Sequence, residues 1–267
     1  MSKYNTLYYL LILLLITGAF ASMAQNSYGI KIMGGVAAAF GLLFLIQALQ
    51  SFYKDKKNPI EILELFSLGL LSLIICLRVF YIHFLYAEFV YALAGASLIG
   101  VYLYKMNTSF PQILKQNSYL AGMVVLFYGS ISLFILSMTI TPFIPWLAEP
   151  AGVIAFTLII IFTVVSLVKK EVLYNGEKVH ALRLATQAEH RTVVVLSLFV
   201  LFSLYIGLNK VDLIPAIYSD EFPKAYFDLV NSAETGNETP VDGMYQHERF
   251  KEEYDRFIEK HANTFRY

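Results

Sequence analysis

Residues 60–86 read IEILELFSLGLLSLIICLRVFYIHFLY. Apolar side chains fill every side of this stretch, and only Glu61, Glu64 and Arg78 carry full charges. A helix of about 20 mostly apolar residues crosses the hydrocarbon core of a bilayer. A barrel strand instead alternates apolar and polar over about 10 residues, which this stretch does not do. Residues 60–86 are therefore expected to form a membrane-spanning helix.

The same pattern recurs on either side, at 6–24, 30–52, 88–104, 119–141, 150–168 and 192–208. Whole-chain numbers agree. Of 267 residues, 57% are hydrophobic and 15% charged, with a mean hydropathy of +0.59. A soluble domain runs near 45–50% apolar and about 25% charged. The expected fold is all-α, a polytopic transmembrane helix bundle of seven spans over residues 1–208. A short extracytoplasmic segment, 209–267, follows it.

The first span has a second reading. Lys3, an apolar run over 7–16 and the small residues Ser22 and Ala24 resemble a secretory signal peptide. Cleavage before Gln25 would leave six spans. An uncleaved helix is the preferred expectation, because the apolar stretch is long for a signal.

Loop charge sets the orientation. On the side of the N-terminus lie Lys3, Lys54, Lys56, Lys57, Lys105, Lys115, Lys169, Lys170, Lys178, Arg183 and Arg191. The loops of the other side hold Lys31 alone. The positive-inside rule then places the N-terminus in the cytoplasm and the C-terminus outside. With the signal-like N-terminus, this points to a bacterial inner membrane and a periplasmic C-terminus.

Twenty Lys and Arg balance twenty Asp and Glu, which argues against a nucleic-acid partner. The single cysteine, Cys76, excludes an intramolecular disulfide and a multi-cysteine metal site. No catalytic motif of the zincin, nucleophile-elbow or P-loop type occurs. No catalytic residue, cofactor or metal is therefore expected.

Polar residues inside the spans are the candidates for function. Arg78 lies about 27 Å along its helix from Ile60, in the outer leaflet. A buried arginine costs at least about 2.5–3.5 kcal/mol on insertion scales unless it pairs or snorkels. His83, Glu88 and Glu149 are expected in the same layer, so the four form a candidate outer-face cluster. A single ion pair or a snorkelling Arg78 is the competing reading. At the other end, Glu61 and Glu64 form a candidate proton site. Glu61 also stands three residues after Asn58, the spacing of a capping box, and the helix dipole favours carboxylates there.

Chain breaks and small residues complete the pattern. The third and fourth spans are expected to join by a tight turn near 85–88. Pro142 and Pro145 are expected to break the chain after the fifth span, with Pro150 in the first turn of the sixth and Trp146 as an interfacial anchor. Small residues recur at four-residue spacing in the second span (Gly34/Ala38, Gly35/Ala39, Ala37/Gly41) and the fourth (Ala92, Ala96, Gly100). Packing within the bundle is the expected use of both stripes, and a partner face is the alternative.

Residues 209–267 hold twelve acids and seven bases, a net charge of −5. Within them 244–263 reads as an amphipathic helix, with Phe250, Tyr254, Phe257 and Ile258 on one face as a docking stripe. Glu252 with Arg256 is expected as an i,i+4 pair. The leading expectation is a non-enzymatic subunit or accessory protein of a membrane complex, its partners being lipid and other membrane or periplasmic subunits. A proton-coupled or small-solute transporter using Arg78, His83, Glu88 and Glu64 is the alternative. An intramembrane enzyme is the third.

Overall fold

The computed structural model describes residues 3–24, 26, 28–53, 58–80, 82, 84–115, 118–168, 190–210, 213–214, 252 and 255–256. Seven helices run through them: α1 (Lys3–Met23), α2 (Tyr28–Phe52), α3 (Pro59–Val79), α4 (Ala87–Leu114), α5 (Ser118–Ile140), α6 (Pro145–Val168) and α7 (His190–Lys210). No strand occurs among the described residues. Six of these helices, α1 to α6, are long and apolar enough to cross a membrane. The described residues are thus all-helical, with the make-up of a multi-pass membrane protein. The helix α7 lies where the seventh span is expected.

Three expected boundaries need correction. The third span ends at Val79 rather than 86, and a turn at Leu85 and Tyr86 leads into α4 at Ala87. That turn ends at Tyr86, whose φ of 65° is left-handed, a region a tyrosine enters at a cost of about 1–2 kcal/mol. The fourth helix runs on to Leu114, ten residues past the expected end at Tyr104. The sixth starts at Pro145, and Pro150 sits inside it. Pro145 suits that place because a first helical residue has no N–H bond to lose.

Contacts divide the chain into two compact units. The first comprises Met1–Tyr9, Ala39–Ile74 and Tyr86–Ser203. In it α2 and α3 approach closely where Gly41 faces Gly69. A Cβ on Gly41 would stand 3.2 Å from the Gly69 carbonyl oxygen, and the reverse distance is 3.3 Å. α4 and α5 meet where Gly95 faces Thr139, since a Cβ on Gly95 would land on the Thr139 methyl. Further along, Ala155 and Ile159 of α6 are buried among Leu133 and Phe134 of α5, Phe156 and Phe162 of α6, and Val200 of α7.

The second unit comprises Leu10–Ala38, Ile75–Leu85 and Leu204–Tyr267. Here α1 and α2 touch at Gly29, where a Cβ would meet the backbone of Ser22 and Gly18. Gly34 lies under Phe80 and Val79, so part of the α2 stripe packs within the bundle as expected.

The α4 stripe does not behave as expected. Ala96 and Gly100 are exposed, Ala92 is half-buried, and among the described residues nothing lies within 4 Å of a Cβ built on Gly100. The buried face of α4 is instead the row Tyr91, Ala94, Gly95, Leu98, Val101, Tyr102, Lys105, Ser109 and Ile113. The large side chains Tyr102 and Leu98 claim the interior, and the small residues between those rows turn outward.

Candidate functional site

The start of α3 follows local rules. The Asn58 side-chain oxygen accepts from the backbone N–H of Ile60 (3.2 Å) and of Glu61 (3.4 Å), so Asn58 caps the helix as its spacing predicted. Pro59 is the first helical residue. Two carboxylates then enter at different depths. At 1.5 Å per residue Glu61 stands about 3 Å, and Glu64 about 7.5 Å, along the axis from the helix start.

Glu64 is the deep one, fully buried at 0% exposure. The Lys105 ammonium donates to its Oε2 at 2.7 Å, joining α3 to α4. The Lys105 side chain is 11% exposed. Lys105 Nζ also stands 5.9 Å from the centroid of the Tyr102 ring, one turn away on α4. That ring lies 6.1 Å from Tyr128 of α5, and both tyrosines are fully buried. An ammonium over an aromatic face adds a favourable term that grows as water is excluded. The site is therefore a closed ion pair backed by two tyrosines.

Sequence reasoning placed Lys105 in a loop, and the structure corrects this. A hydropathy reading ends a span at its first lysine. Here the helix continues and the lysine faces inward, because a carboxylate on the neighbouring helix neutralises it. A signal was present: Leu98, Tyr102, Lys105, Ser109 and Ile113 recur at helical spacing, so the buried face runs straight through the lysine.

Other polar contacts join helices of the first unit near their ends. Tyr8 of α1 donates to Gln47 of α2 at 2.8 Å, and Tyr4 to Gln50 at 2.5 Å. Ser51 of α2 donates to Glu61 of α3 at 3.1 Å. Tyr119 of α5 donates to the Val165 carbonyl of α6 at 3.2 Å. Tyr8, Gln47 and Glu64 each lie five residues inside a helix end. One polar layer thus ties α1, α2, α3 and α4 together in sequence.

The other expected site residues fare differently. Arg78 is half-buried in the second unit; Glu88, in the first turn of α4, and Glu149, four residues past the start of α6, are exposed in the first unit. His83 lies outside the described residues. So do Phe250, Tyr254, Phe257 and Ile258. Glu252 and Arg256 pair at 3.0 Å as expected, on an exposed surface. Trp146 is 77% exposed in the first turn of α6. Among the described residues, no group of three or more His, Cys, Asp or Glu is placed to hold a metal ion.

Compared with family models, curated proteins and solved structures, the chain matches none, so its own residues carry the functional argument.

Proposed function

We propose that this chain is a proton-coupled membrane protein whose working group is the Glu64–Lys105 pair. The observation that carries the reading is the complete burial of Glu64 in a 2.7 Å ion pair between two membrane helices. A pair of this kind is poor value as a fastener. Desolvating each ion costs several kcal/mol, and apolar residues of the same volume often stabilise as well or better. Ionisable groups inside membrane segments characteristically mark ion and proton pathways.

The pair offers a coupling mechanism. A proton taken up by Glu64 cancels the carboxylate charge and leaves the Lys105 cation without its counter-charge. An uncompensated buried charge costs about 3–5 kcal/mol. That penalty favours moving the Lys105 segment of α4 toward water, and return of the carboxylate reverses it. Reconstitution into vesicles with a trapped pH dye tests the reading. Wild-type protein is expected to carry protons down an imposed gradient, and Glu64→Gln to abolish that flux. Equal flux in the two would remove the reading.

The proposal includes the topology. All seven helices cross a bacterial inner membrane, the N-terminus and the Glu64 end facing the cytoplasm and the C-terminal segment facing the periplasm. The basic loops support this orientation.

A second reading, the subunit of a larger membrane complex, is favoured by the outward α4 stripe. In lipid, small residues let helices approach closely, and Ala96 and Gly100 are exposed. The docking stripe at Phe250, Tyr254 and Phe257 supports the same reading from the sequence. Isolation in mild detergent, followed by identification of stoichiometric partners, separates the two readings.

A further inference from the structure

We propose that Glu61 is the relay through which protons pass between the cytoplasmic face and Glu64. The inference rests on the proton-linked reading of the pair and adds the route to it. Glu61 is half-buried one turn nearer the helix start, and Glu64 is sealed at 0% exposure. Residues three apart on a helix are surface neighbours, their Cβ atoms about 5–6 Å apart. Glu61 therefore stands between water and Glu64 along the axis of α3. The buried Ser51 hydroxyl of α2 donates to the Glu61 carboxylate at 3.1 Å.

Lys105 closes the α4 side of Glu64. Lys105 of α4 is bonded to it, and Tyr102 of α4 with Tyr128 of α5 backs Lys105. On α3 itself Ser67 and Leu68, one turn deeper, are buried. Among the described residues, the titratable groups near the pair include Glu61, Tyr102 and Tyr128, and of these Glu61 is the carboxylate toward the start of α3. The step balances without a co-reactant. The O–H bond of a protonated Glu61 breaks, a new O–H bond forms on the Glu64 carboxylate, and Glu61 takes its next proton from water. Lys105 keeps its three protons throughout.

Vesicles containing the full chain and a trapped pH dye test the relay. Glu61→Gln is expected to slow proton uptake by roughly 10²-fold, the scale of losing one acid–base group. Glu61→Asp, which keeps a carboxylate, is expected to retain most of the rate. Formate in the assay buffer is expected to restore uptake to Glu61→Gln, since a small acid can stand in for the missing carboxyl. Glu64→Gln vesicles in the same buffer measure the leak of formic acid itself. Ser51→Ala, which frees the Glu61 side chain, is expected to slow uptake mildly and provides a second measure should Glu61→Gln assemble poorly. Wild-type rates in Glu61→Gln, or a slow Glu61→Gln that formate does not restore above the leak, would overturn the relay. Equal flux in wild type and Glu64→Gln is a different result and removes the underlying reading instead.

Discussion

Glu64 and Lys105 show how charge identity and charge balance separate at the residue scale. Each alone is expensive in a membrane interior, and together they leave one hydrogen-bonded, neutral unit. Glu64→Gln alone strands the lysine and is expected to lower stability by about 3–5 kcal/mol. The double variant Glu64→Gln/Lys105→Met removes both charges and is expected to recover most of that loss. Thermal unfolding of the four proteins in one detergent measures the coupling, and additive losses would show that the two side chains do not depend on each other. A second residue with a local argument is Gly95. A Cβ there would occupy the place of the Thr139 methyl, so Gly95→Ala is expected to cost about 1–3 kcal/mol through overpacking. The double variant Gly95→Ala/Thr139→Ser, which removes that methyl, is expected to restore much of it.

Helices meet here through two different devices. The α2–α3 and α4–α5 crossings use glycine, which removes side-chain bulk and lets backbones approach. The α1–α2 and α3–α4 contacts at the polar layer use hydrogen bonds that have no competing water in lipid. Gly69→Leu is expected to push α3 from α2 and to lower the yield of folded protein in detergent. Gly100→Leu, on the open face of α4, is expected to leave monomer stability unchanged while weakening any partner contact. Size-exclusion chromatography distinguishes these outcomes, and a destabilised Gly100→Leu would mean that this face is already packed. The turn before α4 offers a test of opposite sign. Tyr86 holds a left-handed φ of 65°, so Tyr86→Asn is expected to raise stability by about 1 kcal/mol.

Sidedness belongs to the whole molecule. With Lys105 drawn into α4, the sequence leaves ten basic residues near the span ends expected on one side and Lys31 on the other. A reporter active only outside the cytoplasm, fused after Tyr267, is expected to be active. The same reporter fused within 169–191 is expected to be silent. The reverse pattern would invert the membrane topology and with it the direction of the proposed proton route. The C-terminal stripe carries a further expectation. Replacing Phe250, Tyr254 and Phe257 together by Ser is expected to make amide exchange across 244–263 fast, because docking each ring would contribute about 1.5–3 kcal/mol. Fast exchange already present in the unaltered protein would show that the stripe has no docking surface.

The sequence by itself determined the class of fold, because hydrocarbon solvent imposes one rule on every residue of a span. Backbone groups must bond within the helix, and a run of about 20 apolar residues announces that directly. Asn58 was legible for the same reason: capping is local, settled within three residues. The Glu64–Lys105 pair was not legible, because its partners stand 41 residues apart and each alone argues for the surface. The outward turn of Ala96 and Gly100 was equally hidden. A small-residue stripe states that something can approach closely, but which face of α4 turns inward was decided by Lys105 and Tyr102 finding partners on α3 and α5. Hydropathy is a property of one segment, whereas neutralising a buried charge and choosing a buried face are properties of pairs of segments, and only the tertiary structure brings those pairs together.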